Sequence, residues 1–458
     1  VGPNSKKFRV DNVQGPWDVS AHLREVFTFL QDNLRNSPEV DLREVEYAAC
    51  NGMLRTLDPH SIFLSPEAYR EMTISTQGAF GGVGIVISIR DQLLTVIKPM
   101  PGTPAGRAGL KRHDRILRIN NESTLNMPLD DAVRRLRGEP GTPVTVHVQR
   151  EGAWPGTRPF ELKREVINVQ SVESRMLDGD VGYIRLNQFQ AGTTNELDSA
   201  LAKIRRDAPK LRGLVLDLRS NPGGLLDQAA KVADRFLQGG IIVTTVSASE
   251  PRDEKIAKGP GTEPDYPLVV LVNASSASAS EIVAGALKNH NRAVIVGERT
   301  FGKGSVQLVF PEITRDKAAL KLTIAQYLTP GDVSIQGVGI TPDIELDSMT
   351  ADPVDMDLFA SGNRMREGDL SKSLSNNRAA TGQKPLATVR YNLSREDREA
   401  LRERGGDPDD TFELDFPIKF ARELVQKLPP ATPRAEAVRK AEEFIGVMER
   451  EEIGKVSA

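Results

Sequence analysis

The chain has almost no cysteine. Cys50 is the only one among 458 residues, so no internal disulfide can form. A single cysteine is also a candidate nucleophile, but Cys50 stands with Ala48, Ala49 and Met53 on a helical pattern, which points to core packing. Histidine is scarce as well. His22, His60, His113, His147 and His290 show none of the spacings of a metal site such as HExxH. His290 lies between Asn289 and Asn291, beyond the apolar face of a helix pattern, and reads as a solvated helix end rather than a serine's partner. No stretch reaches the roughly 18 consecutive apolar residues of a membrane span. No leader pattern opens the sequence, but its first residues, VGPNSKKF, read as a trimmed end, so this excludes nothing. The net charge of −3 gives no reason to expect nucleic acid or an anionic membrane surface as a partner. The length suggests about three domains, and a 39% hydrophobic share is enough to give them ordinary cores.

Chemistry concentrates in residues 267–307, PLVVLVNASSASASEIVAGALKNHNRAVIVGERTFGKGSVQ. Leu268 to Val272 has the length and β-branched content of a buried strand. Ile282, Val283, Ala286 and Leu287 follow at helical spacing, so the strand passes to a helix through Ser275, Ser276, Ser278 and Ser280. Backbone N–H groups at a helix start lack helical partners and favour negative charge, so a serine there can sit beside its own oxyanion donors. A second apolar run, Ala293 to Val296, leads to Gly302-Lys303-Gly304. Lysine serves as a base when burial lowers its pKa from about 10.4 towards ~7–8, a shift costing roughly 4 kcal/mol, which requires a dry amine without a carboxylate partner. The competing reading is a serine-rich helix cap and a lysine in a glycine turn.

The string SASASEIVAGALKNHNRAVIVGERTFGKGSVQ resembles the core of the carboxyl-terminal processing proteases, also called tail-specific proteases. The resemblance implies a Ser–Lys dyad with Ser278 as nucleophile, Lys303 as base and Gln307 as the lysine's support. Ser276 and Ser280 are then parts of the turn and the helix start. In GLVLDLRSNPGGLLDQ, Gly213 to Leu218 reads as a buried strand, and Asn221-Pro222-Gly223-Gly224 as a turn before a helix. A plain glycine turn fits; the resemblance implies an oxyanion-hole N–H from Gly224, chosen over Gly223, with the other from Ala279.

From about Gly78 to Arg150 short strands alternate with glycine turns. GAFGGVGIVISI and PGTPAGRAGLKRHDRILRIN resemble a PDZ domain, although His113 stands where the family has glycine. Gly81, Gly82, Val83 and Gly84 are expected to aim successive N–H groups at a substrate's C-terminal carboxylate. Val133 and Leu136, on a helix over about Pro128 to Leu136, either line the groove or face the core. Arg137 matches a family arginine near the contact of PDZ and protease, or is a solvated helix end. The N-terminal part carries helices over 20–34, capped by Ser20, and from Asp41, with Glu44 completing a capping box.

The expected organisation is an N-terminal helical region (1–75), a PDZ domain (76–165), a Ser–Lys protease core (166–346), a polar, partly disordered linker (347–410) and C-terminal helices (411–458). The fold class is α/β, with a crotonase-like mixed sheet implied by the resemblance. So are a serine endopeptidase acting near the C-termini of protein or peptide substrates with apolar ends, no metal or organic cofactor, and a periplasmic or cell-envelope location. A homo-oligomer and an activating adaptor protein are compatible partners. The alternatives are a catalytically silent PDZ scaffold, since fold does not imply activity, and acyl chemistry on a thioester.

Overall fold

The structure is a computed structural model; it describes residues 4–11, 13–35, 41–247, 251–351, 356–357, 364–375, 383–394, 396–397 and 415–456. Its centre is an eight-stranded sheet. Strands Val181–Leu186, Gly213–Asp217, Leu268–Val272, Val294–Gly297 and Ile344–Ala351 run parallel in that order, with Val172–Leu177 antiparallel at one edge. Parallel strands covered on both faces read as continuous apolar runs, which is why LVVLV and GLVLD carry no polar alternation. Leu214, Leu216, Leu268 and Val270 face one core with helices Thr193–Asp207, Leu226–Asp234 and Ala279–Asn289. Val215, Val269 and Leu271 face the other, against Phe416–Lys427 and Arg434–Val456. The C-terminal helices therefore close the second face of the main sheet.

A second, six-stranded sheet is built on the long strand Ala319–Thr329. The N-terminal region is not wholly helical: Ile62–Leu64 joins this sheet, pairing Ile62 with Lys321. The first helix starts earlier than the sequence suggested, at Pro16 after Gly15, and Ser20 lies inside it bonded to the Pro16 carbonyl. Asp41 does cap the second helix, Leu42–Leu54, through the Arg43 N–H.

The PDZ domain enters on Ala79–Gly82 and leaves on Glu165–Asn168, and these two segments pair antiparallel. Its barrel encloses Leu94, Val96, Ile116, Ala132, Leu136, Val146 and Val148. His113 has φ +70°, so the position does demand the left-handed conformation that glycine adopts freely.

The stretch 347–410 is not simply a linker. Ala387–Asn392 runs parallel to Ile344–Ala351 as a further strand of the main sheet, burying Val389 and Tyr391. Glu367–Asp369 forms a 3₁₀ turn with Glu367 completely buried. Residues 376–382 and 398–410, also assigned to the linker, lie outside the described residues.

Candidate active site

The turn after strand Leu268–Val272 is stapled to the turn after Gly213–Asp217. Ser276 donates its hydroxyl to the Leu218 carbonyl at 2.8 Å and Ser280 to the Asn221 carbonyl at 2.9 Å, both fully buried. Ala277 donates its N–H to the same Asn221 carbonyl. Ser278 is treated differently. It stands at the N-cap of Ala279–Asn289 but makes no side-chain cap, and it is half-buried. Its backbone is at φ 56°, ψ −113°, a region that costs a non-glycine residue about 1–3 kcal/mol. Strained strand-to-helix turns of this kind hold a hydroxyl out from the helix it precedes.

Two backbone N–H groups on these two turns stay unpaired. Gly223 gives its N–H to Asn221 Oδ1 at 2.9 Å, whereas the N–H groups of Gly224 and Ala279 have no acceptor among the described residues. Gly223 must be glycine for reasons of space: a Cβ there would sit 2.8 Å from Ser278 Cβ and 3.0 Å from Ala279 N. Of the two glycines, Gly224 is the one whose N–H is left free.

Glu281, on the first turn of the helix, was missed by sequence reasoning. Its fully buried carboxylate accepts from Ser278 N at 2.8 Å and Lys303 N at 2.9 Å on one oxygen. The other oxygen accepts from Thr300 Oγ1 at 2.5 Å and Gly302 N at 2.7 Å. One side chain thereby ties the serine turn to the lysine loop. Burial pushes its pKa up to about 7 against the pull of these four donors.

Lys303 has neither an ion pair nor a side-chain hydrogen bond among the described residues. Burial lowers its pKa to about 8, aided by the nearby Lys321 ammonium and opposed by Glu367, Glu281 and Asp58. The buried Tyr327 hydroxyl donates to the Lys303 carbonyl, leaving its oxygen towards the Ser278 side chain, which lies within hydrogen-bonding reach. Glu281 and Tyr327 thus tie the Ser278 turn to the backbone of Lys303.

Gln307 does not join them. Its amide nitrogen donates to Ser305 Oγ at 2.9 Å and Thr323 Oγ1 at 3.3 Å, and no bond links it to Lys303. His290 is excluded as a serine partner, because it caps the far end of the helix, about 18 Å away by rise per residue. It is not a solvated end either: Nε2 lies 2.7 Å from the Ile241 carbonyl.

A profile of peptidase family S41 matches residues 180–346, and one of the PDZ domain matches 71–149. A carboxy-terminal-processing protease of Bartonella bacilliformis is 41% identical over 345 residues, covering 74% of this chain and 78% of that protein. A carboxyl-terminal-processing protease of Synechocystis is 40% identical over 308 residues, covering 66% and 71%. The chain belongs to the carboxyl-terminal-processing proteases. It is a serine-type peptidase with a PDZ domain. Among solved structures it is similar to a photosystem II D1 C-terminal processing protease, 34% identical over 70% of this chain and 86% of that one, with a TM-score of 0.41.

In this protease the expected carboxylate loop is only partly a nest of glycines. Gly81 and Gly82 lie in the strand that pairs with Glu165–Asn168, and Gly81 is required because Gly138's carbonyl would clash with any Cβ. Val83 and Gly84 keep N–H groups without an acceptor among the described residues, and Gly84 has φ +76°. Val133 is half-buried on the helix Leu129–Leu136. Leu136 is 4% exposed and belongs to the PDZ core, so it does not line an open groove. Arg137 pairs with Glu71 at 2.5 Å and stacks 4.5 Å from the Phe80 ring centre, joining the PDZ helix to the helix Pro66–Gln77. This contact lies between the PDZ domain and the helix that precedes it.

Proposed function

We propose that Ser278 is the nucleophile of this protease and Lys303 its general base. The observation that carries the reading is a buried, unpaired amine, with its pKa lowered to about 8, on a loop that Glu281 ties to the turn of an uncapped, strained serine. About a tenth of such lysine is neutral at pH 7. Neutral Lys303 takes the hydroxyl proton as Ser278 Oγ attacks the scissile carbonyl. The oxyanion sits against the free N–H groups of Gly224 and Ala279. The ammonium returns its proton to the leaving amine, giving an acyl-enzyme. Water then attacks the ester, Lys303 takes its proton, and that proton returns to Ser278 as the carboxylate product leaves.

The PDZ domain takes the C-terminal end of the substrate by strand addition, with the terminal carboxylate at Val83 and Gly84 and an apolar last side chain near Val133. Gln307 supports Lys303 only after leaving Thr323, so its part belongs to a substrate-bound arrangement. Proteins of the bacterial cell envelope or periplasm with apolar C-termini are the substrate class, a placement that rests on kinship alone. The test is an unfolded protein with an apolar C-terminus, incubated with the wild type and Ser278→Ala. Fragments from the wild type alone support the reading; cleavage by Ser278→Ala at the wild-type rate overturns it.

A further inference from the structure

Three carboxylates act on the Lys303 amine, yet none pairs with it. They come from three parts of the chain: Glu281 from the serine helix, Asp58 from the segment before strand Ile62–Leu64, and Glu367 from the 3₁₀ turn Glu367–Asp369. Each has its oxygens occupied elsewhere. Glu281 holds four donors, three of them backbone N–H groups. Asp58 accepts from His60 N at 2.8 Å, Ser61 N at 2.9 Å, Ser61 Oγ at 2.5 Å and Thr323 Oγ1 at 2.8 Å.

Glu367 differs, because only side chains occupy its carboxylate. His60 Nε2 lies 2.9 Å from one oxygen and 2.8 Å from the other, and Gln336 Nε2 is 3.0 Å from the first. An ionised carboxylate only accepts, so His60 Nε2 carries the hydrogen in this contact. The backbone of the turn is fixed independently: Glu367 N donates to the Phe301 carbonyl, and Arg366 reaches the carbonyls of Arg299 and Thr300. Gln336 is anchored too, since its Oε1 accepts from Gly304 N at 2.9 Å. The Glu367 side chain is thus held beside the lysine loop, and where its charge points depends chiefly on His60.

We propose that His60 is a positioning residue for the general base, holding the Glu367 carboxylate away from Lys303 so that the amine stays unpaired. This rests on the reading of Lys303 as the base. The other groups facing Lys303 are Glu281 from the serine helix, Asp58 from the N-terminal segment, and Lys321 and Tyr327 from the long strand. None of them bonds to Glu367, and Asp58 meets His60 only through the His60 backbone N–H, which the side-chain variants keep. Besides His60, the cation that acts on Glu367 is the Lys303 ammonium. An opposite charge brought into contact moves a pKa by about 1–3 units, here upwards, which removes the neutral amine at pH 7 at least ten-fold.

The experiment uses the full chain as wild type, His60→Ala, Glu367→Gln, His60→Ala with Glu367→Gln, and His60→Gln. The midpoint of Lys303 is read directly, from the pH dependence of its trace acetylation followed by mass spectrometry. The acid limb of kcat/KM is read in parallel. His60→Ala should raise both midpoints by at least one unit, and the double variant should abolish that rise and match Glu367→Gln. His60→Gln, which keeps a donor, should shift less. An unmoved Lys303 midpoint in His60→Ala, or a shift that persists in the double variant, overturns the proposal. If His60→Ala does not fold, Glu367→Gln decides: loss of the charge should lower the Lys303 midpoint, and no change overturns the proposal. A Lys303 midpoint that moves while the acid limb does not would instead overturn Lys303 as the base.

Discussion

Ser278 stores conformational strain, and replacing it by glycine should make the protein more stable. At φ 56°, ψ −113° any side chain with a Cβ costs about 1–3 kcal/mol, while glycine does not meet that clash. Glycine has its own cost, about 0.5–1 kcal/mol, from the greater freedom of the unfolded chain. The comparison is Ser278→Gly against Ser278→Ala, since both lose the hydroxyl and its contact with Tyr327. The difference left is strain less entropy, roughly 0.5–2 kcal/mol in favour of glycine. Space is no obstacle, because the change only removes atoms. Chemical denaturation of the two variants should give the same slope and a higher midpoint for Ser278→Gly. An equal or lower midpoint would refute the argument that the backbone at the serine is held against its preference. A positive result fits a site whose geometry is maintained at the expense of stability.

Other outcomes follow from the same geometry. Lys303→Arg should be as inactive as Lys303→Ala, because guanidinium stays protonated at pH 7; measurable turnover in the arginine variant would argue for another base. Lys303 is a cation with a folded pKa below its ordinary value, so the neutral form grows as pH rises towards about 8. The rate should increase up to ten-fold per unit below that pH and level off above it, in a profile of kcat/KM against pH. For the PDZ domain, amidating a peptide's C-terminus removes a charge and adds a donor where Val83 and Gly84 already point donors. Affinity in a paired titration should fall at least ten-fold, about 1.4 kcal/mol. Arg137→Ala, which removes a partly exposed ion pair with Glu71, should leave that affinity within about two-fold.

The parts of the site legible in the sequence are those made by neighbours along the chain. Buried parallel strands leave an uninterrupted apolar run, and a helix start after a run of small residues leaves Ser278 in plain view. Glu281 was not legible, because an acid in the first turn of a helix is ordinary and its value lies in reaching Lys303 across a loop. Asp58 meets Thr323 and His60 meets Glu367 across 265 and 307 residues, and no local pattern encodes such meetings. The strand Ala387–Asn392 was hidden by its place at the end of the sheet. Ala387, Val389 and Tyr391 turn inwards while Thr388 and Arg390 are exposed, so a short stretch of ordinary polarity passes for a linker. Leu136 shows the limit of one-face arguments: the helix bearing it is eight residues long, too short to tell groove from core by spacing.

The two segments through which the PDZ domain is threaded into the chain lie side by side, Gly82 opposite Glu165 and Ala79 opposite Asn168. A guest entered and left through adjacent doors can be exchanged without stretching its host. Any domain whose ends meet at hydrogen-bonding distance fits the same socket, and a tight turn from Gly82 to Glu165 would close it as a simple hairpin. What the module reads and what the catalytic half cuts are thus separable by architecture, so new addresses can be written for the same blade.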